Sequence, residues 1–192
     1  MTSKIRIPEY RSTLMGEILP FTPEKLIIGI LCSHPGCVRE IEKPLAEQFG
    51  PIDYRSGAIP FTFTDYYEQE MGANLIRLFI SFKQLVAPDQ LSTIKIETNR
   101  LEKEFLEAGK RKVNLDPGLL SLGKLILAST KDNAQRIPLA DGIFGEITLI
   151  YRRKGYSALP WTYRDYQSEA YHRILLEIRS RYKQQLQAAG YL

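Results

Sequence analysis

Five polar residues that could recognise an anion crowd one part of the chain: Asn114, Asp116, Lys131, Asp132 and Arg136. Lys131 and Arg136 are of the type that neutralises a phosphate or carboxylate, and Asp116 with Asp132 is of the type that could hold a magnesium ion. The same residues also read more simply. Asn114-Leu115-Asp116-Pro117-Gly118 is a turn that side chains can close, and Lys131-Asp132 resembles the surface end of a helix. A second constellation comes from an internal echo. Pro60-Phe61-Thr62-Phe63-Thr64-Asp65-Tyr66 returns as Pro160-Trp161-Thr162-Tyr163-Arg164-Asp165-Tyr166, and Tyr54-Arg55 before the first copy parallels Tyr151-Arg152 before the second. Two related segments could set Asp65 and Asp165 across a cleft as candidate acid and base. The structural alternative makes Asp65 with Glu68 an N-cap pair and Asp165 the cap leading into the last helix.

Other motifs fit less well. Gly118-Leu119-Leu120-Ser121-Leu122-Gly123-Lys124 matches G-x-x-x-x-G-K, but Leu125 stands where a phosphate-binding loop needs Ser or Thr for magnesium. Ser129-Thr130-Lys131-Asp132 approaches a guanine-reading Asn/Thr-Lys-x-Asp motif but lacks its spacer residue. Cys32, His34 and Cys37 could begin a zinc site, yet the only other histidine is His172, so thiols beside a loop histidine are expected and no metal centre is assigned.

The elements that must position these residues follow from periodicity. Residues 1–24, with Pro8, Pro20 and Pro23, read as an irregular N-terminal arm, and residues 25–192 as a single α+β domain. The continuous apolar run Leu26 to Leu31 predicts a central strand. Val38, Ile41, Leu45 and Phe49 predict a helix that Pro44 should kink or split. Alternation predicts strands at Ile52–Tyr54 and Ile76–Phe82, the latter with Arg77 and Ser81 on the polar side. Pro88 opens a helix stopped by Gly109, though Thr93 to Glu97 alternates like a strand. A short strand at Arg111–Leu115 and a buried helix at Leu119–Thr130 come next. Then come short and long strands at Ile137–Leu139 and Ile143–Arg152, a hairpin turn at Lys154-Gly155, and a C-terminal helix bearing Tyr171, Leu175, Ile178, Tyr182 and Leu186. The order β-α-β-β-α-β predicts a ferredoxin-like α/β sandwich, extended by a helix, a β-hairpin and a C-terminal helix. A Gly-opened helix at Leu119 would aim free backbone amides at an anion near Lys131 and Arg136.

At 192 residues and 44% hydrophobic content, the chain can bury one sizeable core. Its net charge of +4 permits anionic partners and selects none. The longest apolar run is too short for a membrane span, the polar N-terminus has no signal-peptide core, and two cysteines make no secreted framework. A cytoplasmic protein without a membrane partner is expected. Basic residues at Arg152-Arg153-Lys154 and along the last helix admit RNA, but no exposed aromatics on central strands accompany them.

The phrases Phe61 to Gly72, Val113-Asn114-Leu115-Asp116-Pro117-Gly118, Ser129-Thr130-Lys131-Asp132 and Pro160-Trp161-Thr162-Tyr163 together resemble the uncharacterised prokaryotic family catalogued as domain of unknown function 4416, over about Lys25 to Gln185. Some members carry the label GTP-binding protein, for which this sequence has no supporting motif. The resemblance implies no activity and transfers no residue role. The expectation is a phosphorylated small molecule or nucleotide, with or without magnesium, in a polar cleft. The alternative is an RNA-binding or protein-interaction module.

Overall fold

The computed structural model describes residues 18–33, 35–64 and 66–192. Most of the N-terminal arm, His34 and Asp65 lie outside them. The chain runs β1 (Glu24–Cys32), α1 (Pro35–Phe49), β2 (Ile52–Arg55), β3 (Ile59–Pro60), α2 (Glu68–Met71), β4 (Ile76–Val86), α3 (Leu91–Glu104), β5 (Leu106–Glu107), β6 (Lys110–Arg111) and β7 (Val113–Leu120). It continues as β8 (Lys124–Ser129), β9 (Ile137–Pro138), β10 (Phe144–Arg152), β11 (Gly155–Ala158) and α4 (Glu169–Ala188).

This is a mixed α+β architecture on one large antiparallel sheet of order β11-β10-β8-β7-β1-β4-β2, with β3 and β9 adding to β4 and β10. Strand β1 lies near the middle with apolar layers on both faces, which is why its sequence is a continuous hydrophobic run. Leu26, Ile28 and Ile30 join the core beneath α1 and α3, while Ile27 points to the opposite core beneath α4. Among the described residues, no helix is long and apolar enough to cross a membrane.

Three expectations need correcting. Leu119–Thr130 is no helix, Asn114–Gly118 before it is no turn, and Lys131-Asp132 ends no helix: Val113–Leu120 is strand β7, paired with β1, and a tight turn then leads into β8, after which Lys131 follows. Leu119 packs in one core layer while Leu120 and Leu125 pack in the other, so the segment is apolar on both faces and carries no period to separate strand from helix. Second, the helix opened by Pro88 ends at Glu104, because Ala108 (φ 48°) and Gly109 (φ 76°) form the turn between β5 and β6. Third, Pro44 lies inside one uninterrupted helix, with the buried Val38, Ile41 and Leu45 holding it to the sheet on both sides of the proline. The expected hairpin at Lys154-Gly155 is present, with Arg153 (φ 52°) and Lys154 (φ 67°) in its turn. The Thr93–Glu97 ambiguity resolves as helix.

Candidate functional site

Strands β7 and β8 separate soon after their turn: only Gly118, Leu119 and Leu120 pair with β8. Beyond that point Leu115 turns to α3 for its backbone partners. Its N–H donates to Glu102 Oε1 at 2.6 Å, and its carbonyl accepts from Lys95 Nζ at 2.9 Å. Long side chains thus satisfy polar backbone groups that a neighbouring strand would otherwise take. A cleft of about 1020 Å³ opens here, lined by residues of β4, α3, β7, β8 and both copies of the echoed segment.

Its floor is built around Arg77, which is 2% exposed. Arg77 Nη1 donates to Asp116 Oδ2 at 2.7 Å, Nη2 stands 3.8 Å from Asp165 Oδ2, and the guanidinium lies 5.5 Å from the Phe61 ring centroid. Asn114 Nδ2 donates to Asp116 Oδ1 at 2.9 Å, and Arg111 Nη1 donates to Asn114 Oδ1 at 3.0 Å. Arg111 in turn forms a two-pronged pair with Glu70 at 2.6 Å for each bond. The second echo copy is tied to β10: Trp161 Nε1 donates to the Ile147 carbonyl at 2.9 Å and Thr162 Oγ1 to the Thr148 carbonyl at 2.6 Å. That anchoring places Asp165 and Tyr166 in the cleft wall.

The two carboxyls of the floor differ electrostatically. Burial acts to raise the Asp116 pKa, but the charges of Arg77 and Lys95 and the bonds from Arg77 and Asn114 outweigh it and hold Asp116 below the usual carboxylate range. At Asp165 burial dominates, only partly offset by Arg77 and the Tyr166 N–H, and the carboxyl is raised. Glu102 is raised for the same first reason.

At the mouth a single buried ion pair organises the rim. Arg136 Nε donates to Glu146 Oε2 at 2.9 Å, with both side chains 3% exposed. Arg136 Nη1 donates to the Lys131 carbonyl at 2.8 Å and Nη2 to the Tyr163 hydroxyl at 3.1 Å. Lys131 Nζ reaches the Tyr66 hydroxyl at 3.4 Å. Seven cationic side chains line the cleft among the described residues, namely Arg77, Lys95, Lys103, Arg111, Lys131, Arg136 and Arg164. Against them stand four carboxylates, Glu102, Asp116, Glu146 and Asp165.

Of the candidate residues read from sequence, Asn114, Asp116, Lys131, Arg136 and Asp165 line this cleft. Asp132 is exposed and is not among the lining residues, and Asp65 is outside the described residues. The expected helix N-terminus at Leu119 is replaced by strand, so it offers no fan of amides to an anion. Asp165 does not cap α4. Ser168 does, its side chain accepting from the Tyr171 N–H, while Asp165 Oδ1 accepts from the Tyr166 N–H. Tyr67 holds the N-cap position of the short α2. Cys32 and Cys37 are buried in the α1 core, and no group of three metal-ligating residues occurs among the described residues.

Sequence reading gave no site role to Arg77, Lys95 and Glu102, and noticed Arg111 only within the basic run Lys110-Arg111-Lys112. Arg77 was visible as the polar side of an alternating strand, but that side is covered by α4 and the echo segments and not by water. Lys95 and Glu102 are polar positions of α3 whose burial comes only from meeting the Leu115 backbone of β7.

No curated protein and no solved structure matches the chain. A family model does, over residues 22–182, which include every strand, helix and cleft residue just described up to the last turns of α4. The chain belongs to the family described as Domain of unknown function (DUF4416).

Proposed function

We propose that the cleft binds a phosphorylated small molecule or nucleotide. The observation that carries this reading is the excess of seven cations over four carboxylates in one cleft of about 1020 Å³. Lys131, Lys103 and Arg164 carry the exposed charge a ligand would meet first, since Arg77, Arg111 and Arg136 are each committed to a carboxylate. A volume of this size suits a small ligand with a few convergent polar contacts.

The scaffold of that reading is a ferredoxin-like unit, β1-α1-β2-β4-α3-β7. It is supported by the order β7-β1-β4-β2 and by both helices packing on one face of the sheet. Strands β8 to β11 and α4 extend it, and α4 covers the other face.

The alternative is an RNA-binding or protein-interaction surface on the β10–β11 hairpin and α4, and two of its cations are already engaged. Arg179 lies 3.5 Å over the Tyr151 ring and donates to the Leu122 carbonyl, and Arg181 lies 5.4 Å over Tyr54.

The test is a thermal-shift series with nucleotides, sugar phosphates and short RNA, each with and without magnesium. A ligand at a hundred times its Kd stabilises by about 2.7 kcal/mol. A shift with a phosphorylated small molecule that is lost in Lys131→Ala supports the cleft. A shift with RNA alone, fading with salt and unchanged in Lys131→Ala, overturns it in favour of the alternative.

A further inference from the structure

Tyr163 is 55% exposed, and no other ring packs against it among the described residues. It is nevertheless fixed in place, because its hydroxyl accepts from Arg136 Nη2 at 3.1 Å and Arg136 is itself locked to Glu146 at 2.9 Å in a pair that is 3% exposed on each side. Burying an ion pair costs desolvation, and this pair is used to hold two things at the cleft mouth. One is the aromatic ring of Tyr163. The other is Lys131, an exposed residue whose carbonyl accepts from Arg136 Nη1 at 2.8 Å and whose ammonium rests against Tyr66, 3.4 Å from its hydroxyl.

A rigid, solvent-facing aromatic beside an exposed cation is an arrangement for a ligand that has both a flat ring and an anionic group. A sugar phosphate would use the cation and leave the ring idle. We propose that the cleft takes a nucleoside phosphate, with the base stacked on Tyr163, the phosphate met by Lys131, and Arg136 with Glu146 acting as positioning residues for both. This rests on the reading of the cleft as an anion site and names the class of ligand within it. The echoed sequence explains why the partner position differs: Tyr163 corresponds to Phe63, which is only partly exposed and packs on Phe61 and Tyr171 at 5.8 and 6.1 Å between centroids. At this position only the second copy leaves its ring open, while Tyr66 of the first copy is exposed and lies under Lys131 at 5.1 Å.

Calorimetric titration with AMP, GMP and ribose 5-phosphate separates the claims. The nucleotides are expected to bind about tenfold more tightly than ribose 5-phosphate, the range that stacking of one base on an aromatic side chain provides. Tyr163→Ala should remove that difference while leaving ribose 5-phosphate unchanged. Tyr163→Phe, which keeps the ring but loses its bond from Arg136, should keep part of it, and Lys131→Ala should weaken all three. Equal affinities for nucleotides and ribose 5-phosphate in the unmodified protein would overturn the proposal while leaving the anion cleft standing. So would equal losses in Tyr163→Phe and Tyr163→Ala, which would assign the effect to the hydroxyl. Binding of none of the three would overturn the cleft reading and this one with it.

Discussion

Arg77 and Asp116 form a 2.7 Å ion pair that reaches across a whole strand: Arg77 is on β4, Asp116 on β7, and β1 runs between them. Gly29 of β1 sits beneath the crossing. A Cβ there would stand 3.1 Å from Arg77 Nη1 and 3.3 Å from both Phe79 Cε1 and the Tyr166 hydroxyl oxygen. The glycine in the middle of an otherwise branched apolar strand is therefore the space through which the floor of the cleft is wired.

Gly29→Ala is expected to destabilise the fold by about 1–3 kcal/mol, the usual cost of forcing a methyl group into packed surroundings. Urea unfolding measures it. The same substitution should weaken any ligand that touches Arg77, since the guanidinium must move to admit the methyl.

Arg77→Met leaves Asp116 and Asp165 without their shared cation and should cost about 3–5 kcal/mol, the range for removing one partner of a buried pair. The double variant Arg77→Met with Asp116→Leu should recover much of that loss, because no unpaired charge then remains. Full additivity of the two changes in a double-mutant cycle would show that the pair does not couple.

The two floor carboxyls predict opposite pH dependence. Asp116 is depressed, so its contribution to stability is complete above the ordinary carboxylate range and is lost as pH falls through its folded value. Asp165 is raised, so the folded protein holds its proton more tightly than the unfolded chain. Its contribution is complete at acid pH and is lost as pH rises from the ordinary carboxylate range through the raised folded value. Relative to the unmodified protein, Asp165→Asn should therefore gain stability as pH rises through that window. Asp116→Asn should be most harmful near neutrality and less so in acid. Urea unfolding at a series of pH values reads both slopes.

Gly118 belongs to a sequence that imitates a phosphate loop, and its role is packing. A Cβ on it would lie 2.6 Å from the Ile126 carbonyl oxygen and 2.6 Å from Leu127 Cδ2 on the facing strand. Because a backbone atom is one of the two obstacles, relaxation is limited, and Gly118→Ala should cost about 3 kcal/mol or more. Gly123→Ala in the adjoining turn meets nothing within 4 Å and should be much milder. Comparable effects of the two substitutions would contradict the packing role.

Periodicity read from the chain located β1, α1, β4, α3, β10 and α4, because each carries an apolar pattern matched to a single buried face or a continuous run with turns at its ends. It also singled out both copies of the echoed segment, and each contributes side chains to the cleft. The β7–β8 hairpin escaped it, since strands packed on both faces lose the alternation that marks a strand.

The sequence by itself singled out Asn114, Asp116, Lys131, Asp132 and Arg136, of which all but Asp132 line the cleft, and placed Arg77 on the polar side of its strand. Tertiary structure alone decided that this side is covered, that Arg77 reaches Asp116 across Gly29, and that Arg136 turns inward to Glu146 while Lys131 stays exposed at the cleft mouth. The physical reason is that a local pattern records how each residue alternates along its own element. Ion pairing, desolvation and the parting of β7 from β8 depend on elements far apart in the chain, whose approach is set by the packing of the whole sheet.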